Sequence, residues 1–438
     1  MLNKMKNMKN IYLLAVMMLS AMAVTFTSCG DEEDIFDRSA ALRLNDAQKN
    51  LQNTLCADGG KWEFQYFANG SEEGYVFVMT FHPDGTVDIS TKNSWQTTFA
   101  TESSSWEVLT DYGIDLSFIS YNSLLHRFSD PTADLGTYNA GEGHLGDYEF
   151  LAMSVTDNDI ILKGKKRGIT HRLRRLPADT NDEEYFTRLD AAKKAMFNVL
   201  MPDQLLTLND GSRYIISNGY SSIMSFLPEG GDPVSQTESR NLLVFADGIR
   251  FMDPFTNADG SIAVQTFMIQ EDGSLLCSDD NESTITSLEL STLFADQTKK
   301  WRMDKTTLGG QVATVYSAVV EGCKLRPIKK NFTHFQFQAS GEEDQAPYSL
   351  FFKDQNSEGN FYMNETTEGA NKVKFAFTGN CDENAQIHLT NVSAFQDMMD
   401  LLAKGSWTLS AESALLPMRI LVTSDADPNN SFYVDLQK

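Results

Sequence analysis

The chain has 438 residues, with 36 Lys and Arg against 60 Asp and Glu, and its formal net charge is −24. Hydrophobic residues make up 41% of the sequence, which excludes a largely disordered protein. Phosphate binding needs a surplus of Lys and Arg, so the charge argues against a nucleic-acid-binding protein. At roughly 100–200 residues per domain, the length predicts two or three domains.

Residues 1–28 are predicted to be a signal peptide. Lys4, Lys6 and Lys9 form a positive segment before an apolar run from Ile11 to Val24. A membrane-spanning helix needs about 20 apolar residues, so this run is too short to span a bilayer but is typical of a secretory signal.

The end of this segment carries a candidate lipid anchor. The residues Phe26-Thr27-Ser28-Cys29 resemble the lipobox of bacterial lipoproteins. The resemblance implies cleavage before Cys29 and acylation of its thiol, and two or more acyl chains anchor a protein stably. An ordinary signal peptide with an incidental cysteine is the alternative.

Residues 29–37 are predicted to be an acidic tether. The run Asp31-Glu32-Glu33-Asp34 resembles the export signal of Bacteroidetes surface lipoproteins. The expected location is therefore the outer membrane, with the protein lipid-anchored and facing the cell exterior. The periplasmic face is the alternative, because a solvated acidic leader suits any tether.

The rest of the chain is predicted to be mainly β, in two antiparallel sandwich-like or barrel-like domains with a few packing helices. Residues 38–178 begin with a helix and continue as short alternating strands such as Trp62-Glu63-Phe64-Gln65-Tyr66. Residues 179–438 repeat this plan, with a leading helix that Asn181 caps and a late helix at 391–403.

The sequence predicts no catalytic, metal or cofactor site. It contains no HExxH, GxSxG or GxxxxGK[ST] motif. Gly141–Gly146 reads GxGxxG but precedes a strand, so it is interpreted as a flexible surface loop. Four cysteines remain after Cys29, and the sequence leaves open whether they are free or paired: Cys56, Cys277, Cys323 and Cys381.

Two segments carry candidate ligand-binding residues. The first follows a predicted strand and contains Tyr121, Asn122, His126 and Asp130; such residues on loops above a β scaffold suit recognition of a sugar or peptide. The alternative is a short helical turn that buries its leucines. Trp95, between polar neighbours, is predicted to be an exposed stacking residue.

The second segment is a basic cluster, comprising Lys165, Lys166, Arg167, Arg172 and Arg174. The functional interpretation is a patch for an acidic ligand such as a uronic sugar, a phosphate or an acidic partner. The interpretation that the sequence favours is a solvated hairpin whose charged edge discourages strand-to-strand aggregation.

Several stretches resemble a known family, the Bacteroidetes lipoproteins grouped as domain of unknown function 4302. They are Phe36–Leu44, Leu116–Asn122, Leu125–Pro131, Gly146–Phe150 and Leu162–Arg167. The resemblance implies a surface lipoprotein that accompanies an outer-membrane transporter and its binding lipoprotein, but no chemistry.

The leading hypothesis is therefore a non-enzymatic binding or accessory module for nutrient capture, with a glycan or peptide ligand. A surface hydrolase with a spatially assembled carboxylate or His/Asp site is one alternative. A structural subunit of an uptake complex is the other.

Overall fold

The computed structural model describes residues 39–111, 113–131, 143–217 and 219–438. The predicted signal peptide, Cys29 and the predicted acidic tether lie outside the described residues. The chain divides into two compact units, 1–50 and 51–438. The described part of the first unit is the beginning of helix α1 (Ala40–Cys56), and every described strand lies in the second unit.

The strands form three closed antiparallel sheets of eight strands each, and in each sheet consecutive strands are neighbours. Sheet 1 contains β1 (Lys61–Tyr66), β2 (Tyr75–Phe81), β3 (Thr86–Thr91), β4 (Ala100–Leu109), β5 (Asp115–Phe118), β6 (Glu149–Val155), β7 (Asp159–Gly164) and β8 (Thr170–Arg175).

Sheet 2 contains β9 (Asp203–Thr207), β10 (Arg213–Ser217), β11 (Ile223–Pro228), β12 (Glu238–Phe245), β13 (Gly248–Thr256), β14 (Ala263–Ile269), β15 (Leu275–Cys277) and β16 (Thr284–Ser287). Sheet 3 contains β17 (Lys300–Met303), β18 (Phe332–Ala339), β19 (Tyr348–Asp354), β20 (Glu358–Thr367), β21 (Lys372–Cys381), β22 (Ser406–Ala411), β23 (Arg419–Ser424) and β24 (Ser431–Gln437).

The helices lie before the sheets or in their connections. They are α1, α2 (Ser123–His126), α3 (Asp182–Met196), α4 (Pro233–Gln236), α5 (Leu290–Ala295), α6 (Gly310–Lys324), α7 (Glu383–Asn391) and α8 (Ala394–Leu402). Among the residues that the structure describes, none of these helices is long and apolar enough to cross a bilayer.

The three sheets begin in the same way. The Nε1 of Trp62 donates to the carbonyl of Leu55 at 2.9 Å, and the Nε1 of Trp301 donates to that of Leu293 at 3.3 Å. In sheet 2, the Nε2 of Gln204 donates to the carbonyl of Met196 at 2.7 Å. In each sheet, a side chain of the first strand therefore satisfies a carbonyl near the end of the preceding helix, which such a helix leaves unpaired.

Aromatic rings fill the interior of sheet 1. Phe64 lies 5.4 Å from Phe150 between ring centroids, and the ring of His171 stacks on Tyr66 at 5.0 Å. An eight-stranded barrel is just wide enough for its interior to be filled by side chains. The space available to a ligand in this part of the molecule therefore lies on the outside of the sheet.

The outer face of β1 is also buried, because sheet 2 packs against it. Glu63 accepts hydrogen bonds from Tyr185 Oη at 2.5 Å and from Arg174 Nη2 at 2.7 Å. The same guanidinium reaches Asp247 at 2.6 Å. The alternation of β1 predicted a half-buried strand, but Glu63 is fully buried. Its charge is paired with Arg174 of the neighbouring strand β8, and this arginine in turn reaches Asp247 of sheet 2.

The mainly β fold with barrel-like antiparallel sheets is confirmed. The region predicted as one domain, 179–438, contains sheets 2 and 3. The late helix predicted at 391–403 is α8, preceded by the separate helix α7. The sequence pattern could not count closed sheets, because closure depends on which distant strands pair.

Candidate functional site

The candidate site is a cleft on the solvent-facing side of sheet 1, along the short strand β5. Ser117 at its centre pairs with Glu107 of β4 on one side and Glu149 of β6 on the other. Inward residues alternate with these, as in the buried pair Leu116 and Phe118. On the outer face the three strands therefore place the exposed Glu107 and the half-buried Glu149 on either side of Ser117, which is itself buried.

Helix α2 closes one end of this cleft. It begins at Asn122, whose side-chain oxygen accepts hydrogen bonds from the backbone N–H groups of Leu124 and Leu125. Both leucines are buried, and the amide of Asn122 also donates to the carbonyl of Glu102. An N-cap and two buried leucines fix the direction in which this single turn leaves the sheet.

Three rings form an aromatic row at this end, with His126 in the middle. Its ring centroid lies 5.4 Å from that of Tyr121 and 4.9 Å from that of Tyr148. Tyr121 is 64% exposed and Tyr148 is 41% exposed. Large aromatic rings with this exposure on a rigid scaffold are available to stack on a ligand.

The imidazole of His126 is held neutral. Burial lowers its pKa below the usual value, although hydrogen bonding with the backbone of Asn122 opposes this shift. The Nδ1 atom accepts the backbone N–H of Asn122 at 3.1 Å, so in the neutral ring Nε2 carries the proton. His126 therefore supplies a neutral ring between the two tyrosines near pH 7.

The aromatic row borders two adjoining clefts that share Ser129, Pro131, Tyr148 and Glu149. The tyrosine cleft has a volume of 500 Å³, and its lining includes both tyrosines, His126 and the three carboxylates of Glu107, Asp130 and Glu149. The basic cleft has a volume of 480 Å³, and Asp147, Lys166 and Arg167 line it.

Asp147 lies in the wall of the basic cleft and is 6% exposed. Its carboxylate accepts the backbone N–H groups of Lys166 at 3.2 Å and Arg167 at 2.9 Å. Burial nevertheless raises the pKa of Asp147 above the usual value. These contacts fix the turn between β7 and β8, which places the side chains of Lys166 and Arg167 beside the cleft.

The structure brings three of the predicted binding residues together. Tyr121, His126 and Asp130 all line the tyrosine cleft. Asn122 is fully buried and serves as the N-cap of α2, so it is withdrawn from the candidate residues. The alternative of a short helical turn that buries its leucines is the one that the structure shows.

Trp95 is not the exposed stacking residue that the sequence predicted. Its ring is half-buried, its Nε1 donates to Tyr75 Oη at 2.9 Å, and its edge meets the ring of His144. The guanidinium of Arg127 lies over it, 5.5 Å from the ring centroid. Polar neighbours in the sequence could not reveal these partners, which come from other strands and loops.

The basic cluster is not one continuous patch. Arg174 is paired with Glu63 and Asp247 between the sheets, and Arg172 is paired with Asp159. Ion pairs and packing against sheet 2 separate these arginines from the hairpin turn, where Lys166 and Arg167 are exposed.

Lys165 also has acidic partners. Its Nζ lies 2.5 Å from Asp115 and 3.6 Å from Glu149. Of the predicted cluster, Lys166 and Arg167 are the residues that line the basic cleft.

Three histidine–carboxylate pairs occur elsewhere in the described residues; His82–Asp88 is partly exposed, and the other two are largely buried. His388 Nε2 lies 2.9 Å from Asp354, and its Nδ1 lies 2.8 Å from the carbonyl of Asn384. His144 Nδ1 lies 2.7 Å from Glu72. His144 was predicted to lie in a surface loop but is fully buried, whereas residues 141–142 of that loop lie outside the described residues.

Metal and disulfide sites are not found in the described parts of the chain. No group of three or more His, Cys, Asp or Glu side chains there could hold a metal ion. The four described cysteines are free thiols: Cys56, Cys277, Cys323 and Cys381.

The sequence analysis missed Tyr148, Glu107 and Glu149. Each lies in or beside a predicted strand, where alternating polar residues are expected on the outer face. Glu107 and Glu149 lie opposite the same residue, Ser117, on the two neighbouring strands. This placement depends on the pairing of β4, β5 and β6, which the sequence pattern does not show.

Comparison with solved structures gives weak likenesses. A DNA polymerase sliding clamp from Pseudomonas aeruginosa is 11% identical over 89% of this chain and 98% of its own, with a TM-score of 0.13. Transferrin Binding Protein B from Haemophilus parasuis, a Trp-176-Ala mutant, is 7% identical over 86% of this chain and 75% of its own, with a TM-score of 0.14. Such TM-scores support no inference about this chain.

No curated protein matches the chain. One family model does, described as Domain of unknown function (DUF4302), and it matches residues 32–271. The matched segment contains all of sheet 1 and reaches β14 of sheet 2. Because the match covers more than half of the 438 residues, the chain belongs to this family of unknown function.

Proposed function

We propose that this protein is a lipid-anchored outer-membrane surface protein that captures a nutrient glycan or peptide beside an outer-membrane transporter. The lipobox-like segment ending at Cys29 and the acidic run after it support the location. The resemblance to Bacteroidetes surface lipoproteins supports the nutrient-uptake context.

The aromatic row of Tyr121, His126 and Tyr148 carries the binding part of the proposal. Two tyrosines border a 500 Å³ cleft, with exposed fractions of 64% and 41%. Ligand sites combine apolar or aromatic surface with a few placed polar groups, and the row of Glu107, Ser117 and Glu149 supplies such groups.

A hydrolase has less support from the geometry. The histidine–carboxylate pairs Glu72–His144 and Asp354–His388 are hydrogen-bonded and buried, as structural pairs are.

Binding is tested by screening the purified full-length protein, in detergent micelles, against glycan and peptide panels. The Tyr121→Ala/Tyr148→Ala double variant is measured beside it. We expect at least one panel member to bind the parent and to lose ten-fold or more affinity in the double variant. The matched control is Tyr220→Ala, because Tyr220 is 70% exposed on sheet 2.

The anchor is tested by metabolic labelling with a fatty acid and by protease treatment of intact cells. We expect label on the parent chain and none on Cys29→Ser, together with cleavage of the parent from outside the cell. An unlabelled parent, or full protection from protease in intact cells, would contradict the proposed location.

A further inference from the structure

We propose that the tyrosine cleft selects cationic peptide segments, with an Arg or Lys side chain lying against the tyrosine rings between the carboxylates. This inference rests on the proposed function, because it names the ligand class of the same site. It commits to a peptide rather than a glycan.

The first argument is the charge of the lining. The described residues that line the tyrosine cleft include three carboxylates, Glu107, Asp130 and Glu149, and no Lys or Arg. Lys165 lies 3.6 Å from Glu149, but it is closer to Asp115, at 2.5 Å. The lining is therefore negative overall and complementary to a cation.

The second argument is the placement of two of these carboxylates. Glu107 and Glu149 lie on strands that flank β5, opposite the same residue, Ser117. Neighbouring strands are about 4.8 Å apart, so the backbones of these glutamates are separated by roughly 10 Å. A guanidinium or ammonium group fits in that interval and can be approached by a carboxylate from either side.

The third argument is the aromatic row beside the carboxylates. A cation over the face of a tyrosine is attracted by the ring, and the attraction grows as water is excluded. The ring between Tyr121 and Tyr148 belongs to His126, whose pKa burial lowers. A neutral imidazole does not repel the incoming cation near pH 7.

The formal charge of the whole chain, −24, favours the same ligand class. A negative protein attracts cationic ligands over long range and accelerates their encounter with an acidic cleft. An anionic sugar would meet repulsion both from the chain and from the lining of the tyrosine cleft. The exposed Lys166 and Arg167 lie on the other side of Tyr148, in the basic cleft.

The test measures binding of three fluorescent probes to the purified full-length protein in micelles. The probes are a hexapeptide of alternating Arg and Ser, the same peptide with Glu in place of Arg, and a neutral glucose hexasaccharide. We expect the Arg peptide to bind at least ten-fold more tightly than the other two, with affinity that falls as salt is added.

The key variant is Glu107→Gln/Glu149→Gln, and its matched control is Glu271→Gln/Glu343→Gln. Both remove two negative charges, but Glu271 and Glu343 are exposed residues of sheets 2 and 3. We expect the cleft variant to weaken the Arg peptide ten-fold or more and the control to change it less than two-fold. A similar loss in both variants would overturn the inference, because it would show a general charge effect.

The outcomes separate this inference from the proposed function. If the hexasaccharide or the Glu peptide binds best and Tyr121→Ala abolishes that binding, the cleft is a binding site but the cationic selectivity is wrong. If no probe binds, the cationic selectivity is overturned, and the proposed function is then decided by the glycan and peptide panels. If Tyr121→Ala leaves the binding of every probe that binds unchanged, the tyrosine cleft is not the binding site and both proposals for it are overturned.

Discussion

The connection between the fifth and sixth strands serves different purposes in sheets 1 and 3. In sheet 1 it runs from β5 to β6 and contains α2, with Tyr121 exposed to solvent. In sheet 3 it runs from β21 to β22 and contains α7 and α8, whose side chains Phe395, Met398 and Leu402 are fully buried. The strand order is the same in both sheets, but the described part of the β5–β6 connection exposes Tyr121, whereas α8 in the β21–β22 connection is part of the core.

The residues themselves explain this difference. Helix α8 carries a nearly continuous apolar face that packs on α6 and β21, and Phe395 contacts the rings of Phe335 and Phe352. In sheet 1 a short turn capped by Asn122 buries its leucines and leaves the tyrosines outside. The same connection can therefore either stabilise the sheet or expose side chains to solvent. For this reason, binding residues in general lie more often on connections than on strands.

The most severe test of this comparison is Phe395→Ala in α8. We expect the free energy of unfolding to fall by about 3–5 kcal/mol, because a fully buried ring leaves a cavity. Denaturant titration followed by tryptophan fluorescence measures it. A change below about 1 kcal/mol would show that this connection is not part of the core.

A second prediction compares a buried ion pair with a partly exposed ion pair on the outside of sheet 1. Arg174→Ala leaves the fully buried Glu63 without its arginine, and breaking a buried pair in this way costs about 3 kcal/mol or more. Its control is Arg172→Ala, because the pair of Arg172 with Asp159 is partly exposed and is worth about 1 kcal/mol or less. Equal effects in denaturant titration would contradict the role given to the interface.

A third prediction concerns pH and the interior of sheet 1. Burial lowers the pKa of His171 to about 3, so the folded chain resists protonation there while the unfolded chain binds the proton near pH 6.5. The stability from neutral His171 is therefore present above pH 6.5 and is lost as the pH falls towards 3. Between pH 7 and pH 5 the loss is about 2 kcal/mol.

The measurement is the free energy of unfolding as a function of pH for the parent and His171→Phe. We expect a flatter acid limb in the variant, because no imidazole then has to remain neutral. An identical slope in the parent and in His171→Phe would contradict the prediction.

The smallest expected effect is that of Tyr121→Ala on stability. The side chain is 64% exposed, and surface substitutions away from caps and core usually change stability by no more than about 0.5 kcal/mol. Thermal and denaturant unfolding should therefore resemble those of the parent. A loss above about 1.5 kcal/mol would show that the aromatic row is a packing element and would weaken the binding proposal.

The sequence by itself determined the class of the fold and much of its local structure. Alternation in Trp62-Glu63-Phe64 predicted a strand, and the side chain of Asn181 caps α3 as its spacing with Glu184 predicted. These features depend on neighbours within a few residues, so their physical causes are readable along the chain. The segment around Tyr121 and His126 was identified for the same reason.

Only the tertiary structure decided which polar residues line the candidate cleft. Asn122 and Trp95 have polar neighbours in sequence, yet one is buried under a helical turn and the other packs against Tyr75 and Arg127. Glu107 and Glu149 became candidate residues only because strand pairing places them on either side of Ser117. Strand register and sheet closure join residues far apart in the chain, and no local pattern records that pairing.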